Sequence, residues 1–268
     1  MWNAKNGEVA VDDSTMYYVS FGYGDKPFII LPGLSDGLYT VKGKAHFLAS
    51  MYKPLMKDYT IYVFSRKNGL PDGYSIKDMA DDQAKVMRAL GIEKASIMGV
   101  SQGGMIAQAF AVYHPEMLEK LVIAVSTPNA NGAVQNCVNT WIELARDKKY
   151  KQFVNDMNDR AYTQKYLRKY KLFYPLIISS MKRVDFDRFY ANAHAILNFD
   201  IRNQLSSITC PTLILGGKED KIVTPEASVE LHESITNSHM YLYDGLGHAA
   251  FDEAKDFNER VLRFLKAE

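Results

Sequence analysis

The sequence predicts an α/β protein built on a mostly parallel sheet with helices on both faces. Short runs rich in β-branched and aromatic residues recur along the chain, and helical patterns separate most of them. Apolar residues make up 47% of the 268 residues and charged residues 24%, which is enough apolar material to bury such a sheet. The fold class therefore follows from periodicity and composition before any motif is considered.

Eight strands are predicted, and their patterns differ with their place in the sheet. The first two, Glu8–Val11 and Thr15–Phe21, alternate around Asp12-Asp13 and predict an antiparallel edge. The others are continuous apolar runs, as expected for strands buried on both faces. They are Phe28–Leu31, Ile61–Phe64, Ala95–Met98, Leu121–Val125, Thr212–Leu215 and Met240–Tyr243.

Three helices are marked by local signals. Ser75 and Asp78 form a predicted capping box, which opens a helix that runs to Gly91. A second helix is predicted from Gly103 to His114, where Pro115 stops it. Apolar residues at helical spacing predict an amphipathic final helix over 257–265.

The strand rhythm is interrupted between residues 129 and 201. This stretch is too long for a plain loop, so it is predicted to be a helical cap inserted into a core of residues 1–128 and 202–268. An exposed apolar cap could act as a substrate gate or form the interface of a homodimer. The aromatic residues of this stretch could line a pocket or pack within the cap. These aromatic residues are Trp141, Tyr150, Phe153, Tyr162, Tyr166, Tyr170, Phe173, Tyr174, Phe189 and Tyr190.

Charge and composition restrict the classes of partner that the sequence predicts. With 32 basic and 31 acidic side chains, nothing favours nucleic acid or an anionic membrane, and a small-molecule ligand fits better. No apolar run of signal-peptide or membrane-span length occurs, which predicts a cytoplasmic protein. Cys137 and Cys210 are expected to be buried and free rather than part of a disulfide framework.

The run Gly99-Val100-Ser101-Gln102-Gly103 carries the strongest chemical signal. It follows a predicted strand and opens directly into a predicted helix, which is the strand-turn-helix setting of a nucleophile elbow. The sharp turn brings two backbones close together, so glycine is needed on both sides of a serine that itself tolerates strain. Ser101 is therefore the predicted nucleophile.

A serine nucleophile needs a base and an acid that orients the base. His248 lies in the loop after the last predicted strand and is the predicted base. Asp220 follows the preceding strand and is the predicted acid, with its neighbour Glu219 as the rival carboxylate. The remaining histidines are interpreted as structural or surface residues: His46, His114, His194, His232 and His239.

Two backbone amides are predicted to bind the oxyanion that develops during acyl transfer. One is the amide of Gln102, which follows the nucleophile at the start of its helix. The other is the amide of Leu34, in the turn that leaves the third predicted strand.

Four motifs together resemble the α/β-hydrolase superfamily, and in particular its small capped esterase-like members. They are Leu31-Pro32-Gly33, Gly99 to Gly104, Gly217-Lys218-Glu219-Asp220 and Gly245-Leu246-Gly247-His248. The resemblance implies an α/β-hydrolase fold with an eight-stranded sheet, a Ser-Asp-His triad and no cofactor.

The chain departs from that group in two places. Pro32 stands where many relatives carry histidine, and Arg66-Lys67 stand in a run that differs from theirs. We interpret Arg66 and Lys67 as solvated loop charges.

Three functions remain open on the sequence alone. The leading hypothesis is hydrolysis of a small carboxylic ester. A lactonase or carbon-carbon bond hydrolase would use the same triad with a charged clamp from the cap. A non-catalytic ligand-binding receptor could keep the fold and the triad and use the cap as a gate. The candidate clamp residues are Arg146, Arg160, Arg168, Arg183 and Arg188.

Overall fold

The computed structural model describes residues 2–182 and 184–267, with only the backbone of Lys171. Within these residues all eight predicted strands are present. Each strand is one to three residues longer than predicted at one or both ends, and the sixth strand also ends one residue earlier than predicted. The strands are β1 (Lys5–Val11), β2 (Ser14–Gly22), β3 (Lys26–Leu31), β4 (Tyr59–Lys67), β5 (Ala95–Val100), β6 (Leu118–Ala124), β7 (Thr212–Gly217) and β8 (Ser238–Tyr243).

The strands form one sheet in the order β1-β2-β4-β3-β5-β6-β7-β8. β1 pairs with β2 and β2 with β4 in antiparallel fashion, and every later pair is parallel. The antiparallel edge and the parallel interior are both confirmed. The expected eight-stranded, mostly parallel α/β-hydrolase sheet is therefore the architecture of the chain.

The helices of the described residues cover both faces of this sheet. They are α1 (Ala45–Met51), α2 (Ile76–Ala89), α3 (Gln102–Tyr113), α4 (Gly132–Arg146), α5 (Tyr150–Ala161), α6 (Gln164–Tyr170), α7 (Tyr174–Met181), α8 (Asp187–Leu197), α9 (Pro225–Ser234), α10 (Ala250–Glu253) and α11 (Phe257–Lys266). The predicted capping box opens α2, where the Ser75 side chain accepts the Asp78 amide. None of these helices is both long enough and apolar enough to cross a bilayer.

The alternation of side chains along the central strands divides the core between the two faces. Ile29 and Leu31 of β3 pack with the residues of α2 and α3 on one face. Phe28 and Ile30 of the same strand pack with α1 and α11 on the other. Successive side chains point to opposite faces of a strand, so a strand buried on both faces must be apolar throughout.

Helices α4 to α8 lie between β6 and β7, in the stretch where the strand rhythm stops. The two ends of this stretch run side by side, since the Ala130 amide donates to the Phe199 carbonyl and the Ile201 amide to the Pro128 carbonyl, each at 2.9 Å. Both cysteines are free. Cys137 is buried as expected, whereas Cys210 is only half-buried, because it lies in the exposed turn before β7.

The strand order also fixes where a site can form. The chain runs from β3 outward to β4 and then crosses back to β5, so the direction of winding reverses between β3 and β5. Leu31 at the end of β3 lies beside Gly99 near the end of β5. In open parallel sheets this reversal leaves a crevice at the carboxyl ends of the strands, where ligands bind.

Candidate active site

Ser101 lies in the sharp turn between β5 and α3. Its backbone has φ 55° and ψ −119°, a strained conformation for a residue with a side chain. A Cβ atom at Gly99 would collide with the Gly103 carbonyl oxygen, and one at Gly103 would collide with the Leu31 carbonyl oxygen. The two glycines are therefore required by the close approach of the strands and the helix, as the sequence predicts.

Ser101, His248 and Asp220 form a continuous chain of hydrogen bonds. His248 Nε2 is 2.9 Å from Ser101 Oγ, and His248 Nδ1 is 2.8 Å from Asp220 Oδ2. With the imidazole proton on Nδ1, the ring donates to the carboxylate and accepts from the serine hydroxyl. Three residues that lie far apart in the sequence are thus joined, in the order that proton removal from serine requires.

The carboxylate at the end of this chain is held in its ionised form. Burial alone raises the pKa of Asp220, but the neighbouring His248, together with the Ile222 and Val223 amides, lowers that pKa below its ordinary value. Both amides donate to Oδ1, at 2.8 and 3.1 Å. Glu219, the rival in the sequence, is exposed. Asp220 is therefore the carboxylate that the fold brings to His248.

The turn after β3 lies directly beside the serine. A Cβ atom at Gly33 would be 3.3 Å from Ser101 Cβ. Leu34 begins a 3₁₀ turn over Leu34–Gly37, and Gln102 begins α3. The first amide of a helix has no acceptor within that helix, so both predicted oxyanion donors are free of intrahelical hydrogen bonds. Pro32 has no N–H group, which leaves the amide donor of this turn to a later residue.

A second buried polar group adjoins the site and was not predicted. We define the ion cluster as Asp36, Arg66 and Arg188. The Asp36 carboxylate accepts the Ser65 hydroxyl at 2.7 Å and the Arg66 amide at 2.9 Å. Arg188 of α8 donates to the same carboxylate at 2.7 Å and to the carbonyl oxygens of Arg66 and Lys67.

The interpretation of Arg66 and Lys67 as solvated loop charges is wrong. Only 1% of Arg66 and 6% of Lys67 is exposed, because β4 continues through both residues and α8 lies over them. Burial lowers the pKa of Arg66 to about 10, with Asp36 opposing that shift and Arg188 adding to it.

Arg66 connects the ion cluster to the nucleophile elbow. Its Nη2 donates to the Gln102 side-chain oxygen at 3.0 Å, while Gln102 Nε2 donates to the Asn192 carbonyl at 2.9 Å. Asn192 lies on α8, so the residue after the nucleophile is tied to an inserted helix. From the sequence, only the backbone amide of Gln102 is expected to take part in the site. No local spacing reveals contacts between residues 36, 66, 102 and 188.

A cavity of about 410 Å³ opens in front of Ser101 and His248. It has two walls, which we call the α1 wall and the insertion wall. The residues of the α1 wall are Ile30, Val41, Lys44, Phe47, Leu48, Met51, Tyr52, Val63 and Phe251. Those of the insertion wall are Val134, Val138, Trp141, Met157, Asn158, Ala161, Tyr162 and Ile196. Most of these side chains are apolar, which suits a small and mainly apolar substrate.

The inserted segment contributes less to this cavity than its aromatic content suggested. Of its aromatic residues, Trp141 and Tyr162 line the cavity, whereas Phe153 and Phe189 pack edge to face in the core. Of the candidate clamp arginines, Arg183 lies outside the described residues. The other four line no part of the cavity: Arg146, Arg160, Arg168 and Arg188.

The loop that carries His248 is bonded to the inserted segment. The Ala249 amide donates to the Ala161 carbonyl at 2.9 Å, and the Thr163 amide donates to the Glu253 carboxylate at 2.8 Å. Tyr162 also donates its hydroxyl to Asp252 at 2.9 Å. The position of the histidine therefore depends on contacts with the junction of α5 and α6.

The other histidines lie away from this centre. His114 follows the last residue of α3 and pairs with Asp81 of α2 at 2.8 Å. The remaining four are exposed: His46, His194, His232 and His239. Over residues 2–182 and 184–267, no three side chains of His, Cys, Asp or Glu converge as metal ligands.

The family model described as "alpha/beta hydrolase fold" matches residues 26–255 of the chain. Among curated proteins, the chain is similar to one named "Putative carbamate hydrolase RutD" from Stutzerimonas stutzeri, with 29% identity over 90% of this chain and 92% of that protein. A protein of the same name from Rhizobium rhizogenes is 28% identical over 87% of this chain and 92% of its own length.

Solved structures of similar fold cover nearly the whole chain. MGS-M2, an alpha/beta hydrolase enzyme from a Medee basin deep-sea metagenome library, superposes with a TM-score of 0.86 at 20% identity, covering 98% of both chains. The enol-lactonase from Burkholderia xenovorans LB400 superposes with a TM-score of 0.81 at 21% identity, over 97% of this chain and all of that one.

Proposed function

The chain belongs to the alpha/beta hydrolase fold family and is a hydrolase, and from this premise we propose that it cleaves small carboxylic esters through a serine-bound acyl-enzyme. The observation that carries this proposal is the hydrogen-bond chain from Ser101 through His248 to Asp220. In this proposal residues 129–201 act as a helical cap over a core of residues 1–128 and 202–268.

Acylation begins when the ester carbonyl carbon lies against Ser101 Oγ. His248 Nε2 takes the hydroxyl proton as Oγ attacks, and the Leu34 and Gln102 amides stabilise the negative charge on the carbonyl oxygen. His248 then gives that proton to the departing alkoxide, which leaves as an alcohol. Asp220 holds the proton on Nδ1 and stabilises the imidazolium while it exists.

Deacylation repeats these steps with water as the nucleophile. His248 takes a proton from water, the resulting hydroxide attacks the acyl carbon, and the proton returns to Ser101 as the acid is released. A mainly apolar cavity favours an uncharged ester linkage over a peptide, whose polar groups would lose their hydrogen bonds to water on entry.

A carbamate is the second candidate substrate class, because the curated relatives carry the name carbamate hydrolase. The same attack on a carbamate would leave a carbamoyl-serine, in which the nitrogen lone pair makes the acyl carbon less reactive toward water. After a burst of the first product, a carbamate substrate should therefore turn over more slowly than the matching ester, because its carbamoyl-serine reacts more slowly with water.

The lactonase and carbon-carbon bond hydrolase alternatives receive less support. They were expected to use an arginine clamp from the inserted segment, and the four described candidate arginines do not line the cavity. A non-catalytic receptor could keep the same triad, so the argument against it is the family of the chain and the hydrolase names of its curated relatives.

Active-site labelling tests the proposal. A fluorophosphonate probe with peptide mapping should modify Ser101, and Ser101→Ala should abolish labelling. Ser35→Ala is the matched control, because Ser35 also lines the cavity and should leave the Ser101 label in place. Turnover of p-nitrophenyl esters of graded chain length then defines the acyl group. Absence of both labelling and ester turnover in the folded protein would overturn the proposal.

A further inference from the structure

One cation stands in the otherwise apolar α1 wall of the cavity. Lys44 lines the same cavity as Ser101, at the residue that precedes α1. Its Nζ donates to the Tyr39 carbonyl oxygen at 3.2 Å, and its side chain is half-buried. The ammonium also lies 5.6 Å from the centre of the Tyr39 ring, a weak cation–π contact that uses no N–H group in a hydrogen bond. A lysine ammonium carries three N–H donors, so the one hydrogen bond leaves most of its donor capacity for another group.

Nothing in the described chain neutralises this ammonium by direct contact. Lys44 has no carboxylate within ion-pair distance there, and Asp36, which acts on it from further away, is already occupied by Arg66 and Arg188. Burial lowers the pKa of Lys44, and Asp36 opposes that shift. The charge is thus partly removed from water, and within the described residues it has contacts with Tyr39 but no carboxylate in ion-pair distance.

Two polar side chains of the insertion wall, Trp141 and Tyr162, are in a different situation. Trp141 donates its indole N–H to Asp156 at 2.8 Å, and Tyr162 donates its hydroxyl to Asp252 at 2.9 Å. Their polar atoms are thus engaged within the protein, and what they offer the cavity is mainly ring surface. Among residues 2–182 and 184–267, Lys44 is the one lysine or arginine that lines the cavity, and it has N–H donors without a hydrogen-bond partner.

We propose that Lys44 binds a carboxylate group carried by the substrate, so that the substrate class is an ester with a free acid, such as a monoester of a small dicarboxylic acid. The inference rests on the proposed function, since it assumes that the scissile ester lies at Ser101. An ammonium that is partly shielded from water forms stronger hydrogen bonds with a carboxylate than an exposed one does. The apolar lining then accommodates the methylene chain between the two ends of the substrate.

Binding to inactive protein tests this inference apart from catalysis. On the Ser101→Ala background, calorimetry compares monoethyl glutarate with ethyl 4-carbamoylbutanoate, a neutral ligand of nearly the same shape. The acid should bind about tenfold more tightly, which is the effect of one charge-assisted contact. Lys44→Gln should remove this preference, and Lys44→Arg should retain part of it.

The matched control is Lys42→Gln. Lys42 is exposed two residues away, donates to the Tyr17 hydroxyl at 3.0 Å and does not line the cavity, so the acid preference should persist. Equal affinity for the two ligands, or a preference that survives Lys44→Gln, would overturn the inference.

Turnover separates this inference from the proposed function. With active protein, Lys44→Gln should raise KM for mono-p-nitrophenyl glutarate about tenfold, and it should change KM for neutral p-nitrophenyl pentanoate much less, because that ester carries no carboxylate. Ser101-dependent turnover without any acid preference overturns the role of Lys44 and leaves the esterase proposal standing. A Lys44-dependent preference in binding, without turnover of any ester, supports the role of Lys44 in binding and overturns the esterase proposal.

Discussion

Two buried polar groups lie close to Ser101, and their hydrogen bonds are arranged differently. In the serine–histidine–aspartate chain, Asp220 Oδ2 and the His248 ring lead to the Ser101 hydroxyl, and Ser101 lines the cavity. In the ion cluster, Asp36 and Arg188 bond to each other, to the Ser65 hydroxyl and to backbone groups. Burial of a charged group therefore does not by itself mark a reacting group. A reacting group also needs a nucleophilic or acid–base atom that faces the cavity, as Ser101 Oγ does.

If the two groups have separate tasks, mutations should divide activity from stability. Ser101→Ala and His248→Ala should each lower kcat on a p-nitrophenyl ester by about 10⁴- to 10⁶-fold, since these residues act as one unit. The thermal midpoint of Ser101→Ala should stay within about 2 °C of the parent, because the loss of one hydroxyl opens no large cavity. A variant that keeps the parental kcat would remove its residue from the mechanism.

The ion cluster should show the opposite profile. Asp36→Ala leaves two arginines beside the site without their counter-charge, and we expect the free energy of unfolding to fall by about 3–5 kcal/mol in urea titrations. Asp58→Ala is the control, because its pair with Lys266 is partly exposed and should contribute less than about 1 kcal/mol. Equal effects for the two aspartates would refute the structural role of the cluster.

Arg188 tests whether the cluster also fastens an inserted helix to the site. Arg188→Met should cost about 2 kcal/mol of unfolding free energy, because it removes charged hydrogen bonds at a side chain that is only 15% exposed. Turnover should fall by less than about tenfold, since no reacting atom touches Arg188. Arg202→Met removes a half-exposed pair with Asp200 and should change stability little. If Arg188→Met lowered activity as much as Ser101→Ala does, Arg188 would take part in the reaction itself.

Asp220 is the one carboxylate of the proposed triad, and its contribution to stability should be smaller than that of the ion cluster and should depend on pH. The folded protein lowers the pKa of Asp220 below the ordinary value, so its ionised form stabilises the fold above the pKa of the unfolded chain. That stabilisation is lost as the pH falls through the lowered folded value. Asp220→Asn should therefore be less stable than the parent at pH 7, and denaturant midpoints should converge in acid. A difference that grows toward acid pH would contradict the direction of this shift.

The two groups also differ in how far the sequence reveals them. Ser101 and His248 each lie in a local motif, and the strand-to-helix turn imposes its glycines within five residues. Asp220 is found because the carboxyl ends of parallel strands meet at one edge. Local rules of this kind also gave all eight strands and the capping box of α2.

Arg66 could not be interpreted correctly from its neighbours. Its burial depends on Asp36, which lies thirty positions earlier, and on Arg188, which lies more than a hundred positions later in a segment without strand rhythm. The same limit applies to the inserted aromatic residues, because helical spacing fixes which of them share a face but not which face meets the cavity. Long-range pairing of charges leaves no periodic trace in a single sequence.

The hydrogen bond between the Ala249 amide and the Ala161 carbonyl bears on how modular this protein is. An engineer who exchanged the inserted segment for that of another hydrolase, to change which molecules fit, would also remove an anchor of the loop that carries His248. Thr163 and its contact with Glu253 would be lost in the same step. A successful graft would therefore need to retain residues 161–163 with the recipient, so that the boundary for recombination lies inside the segment rather than at its two ends.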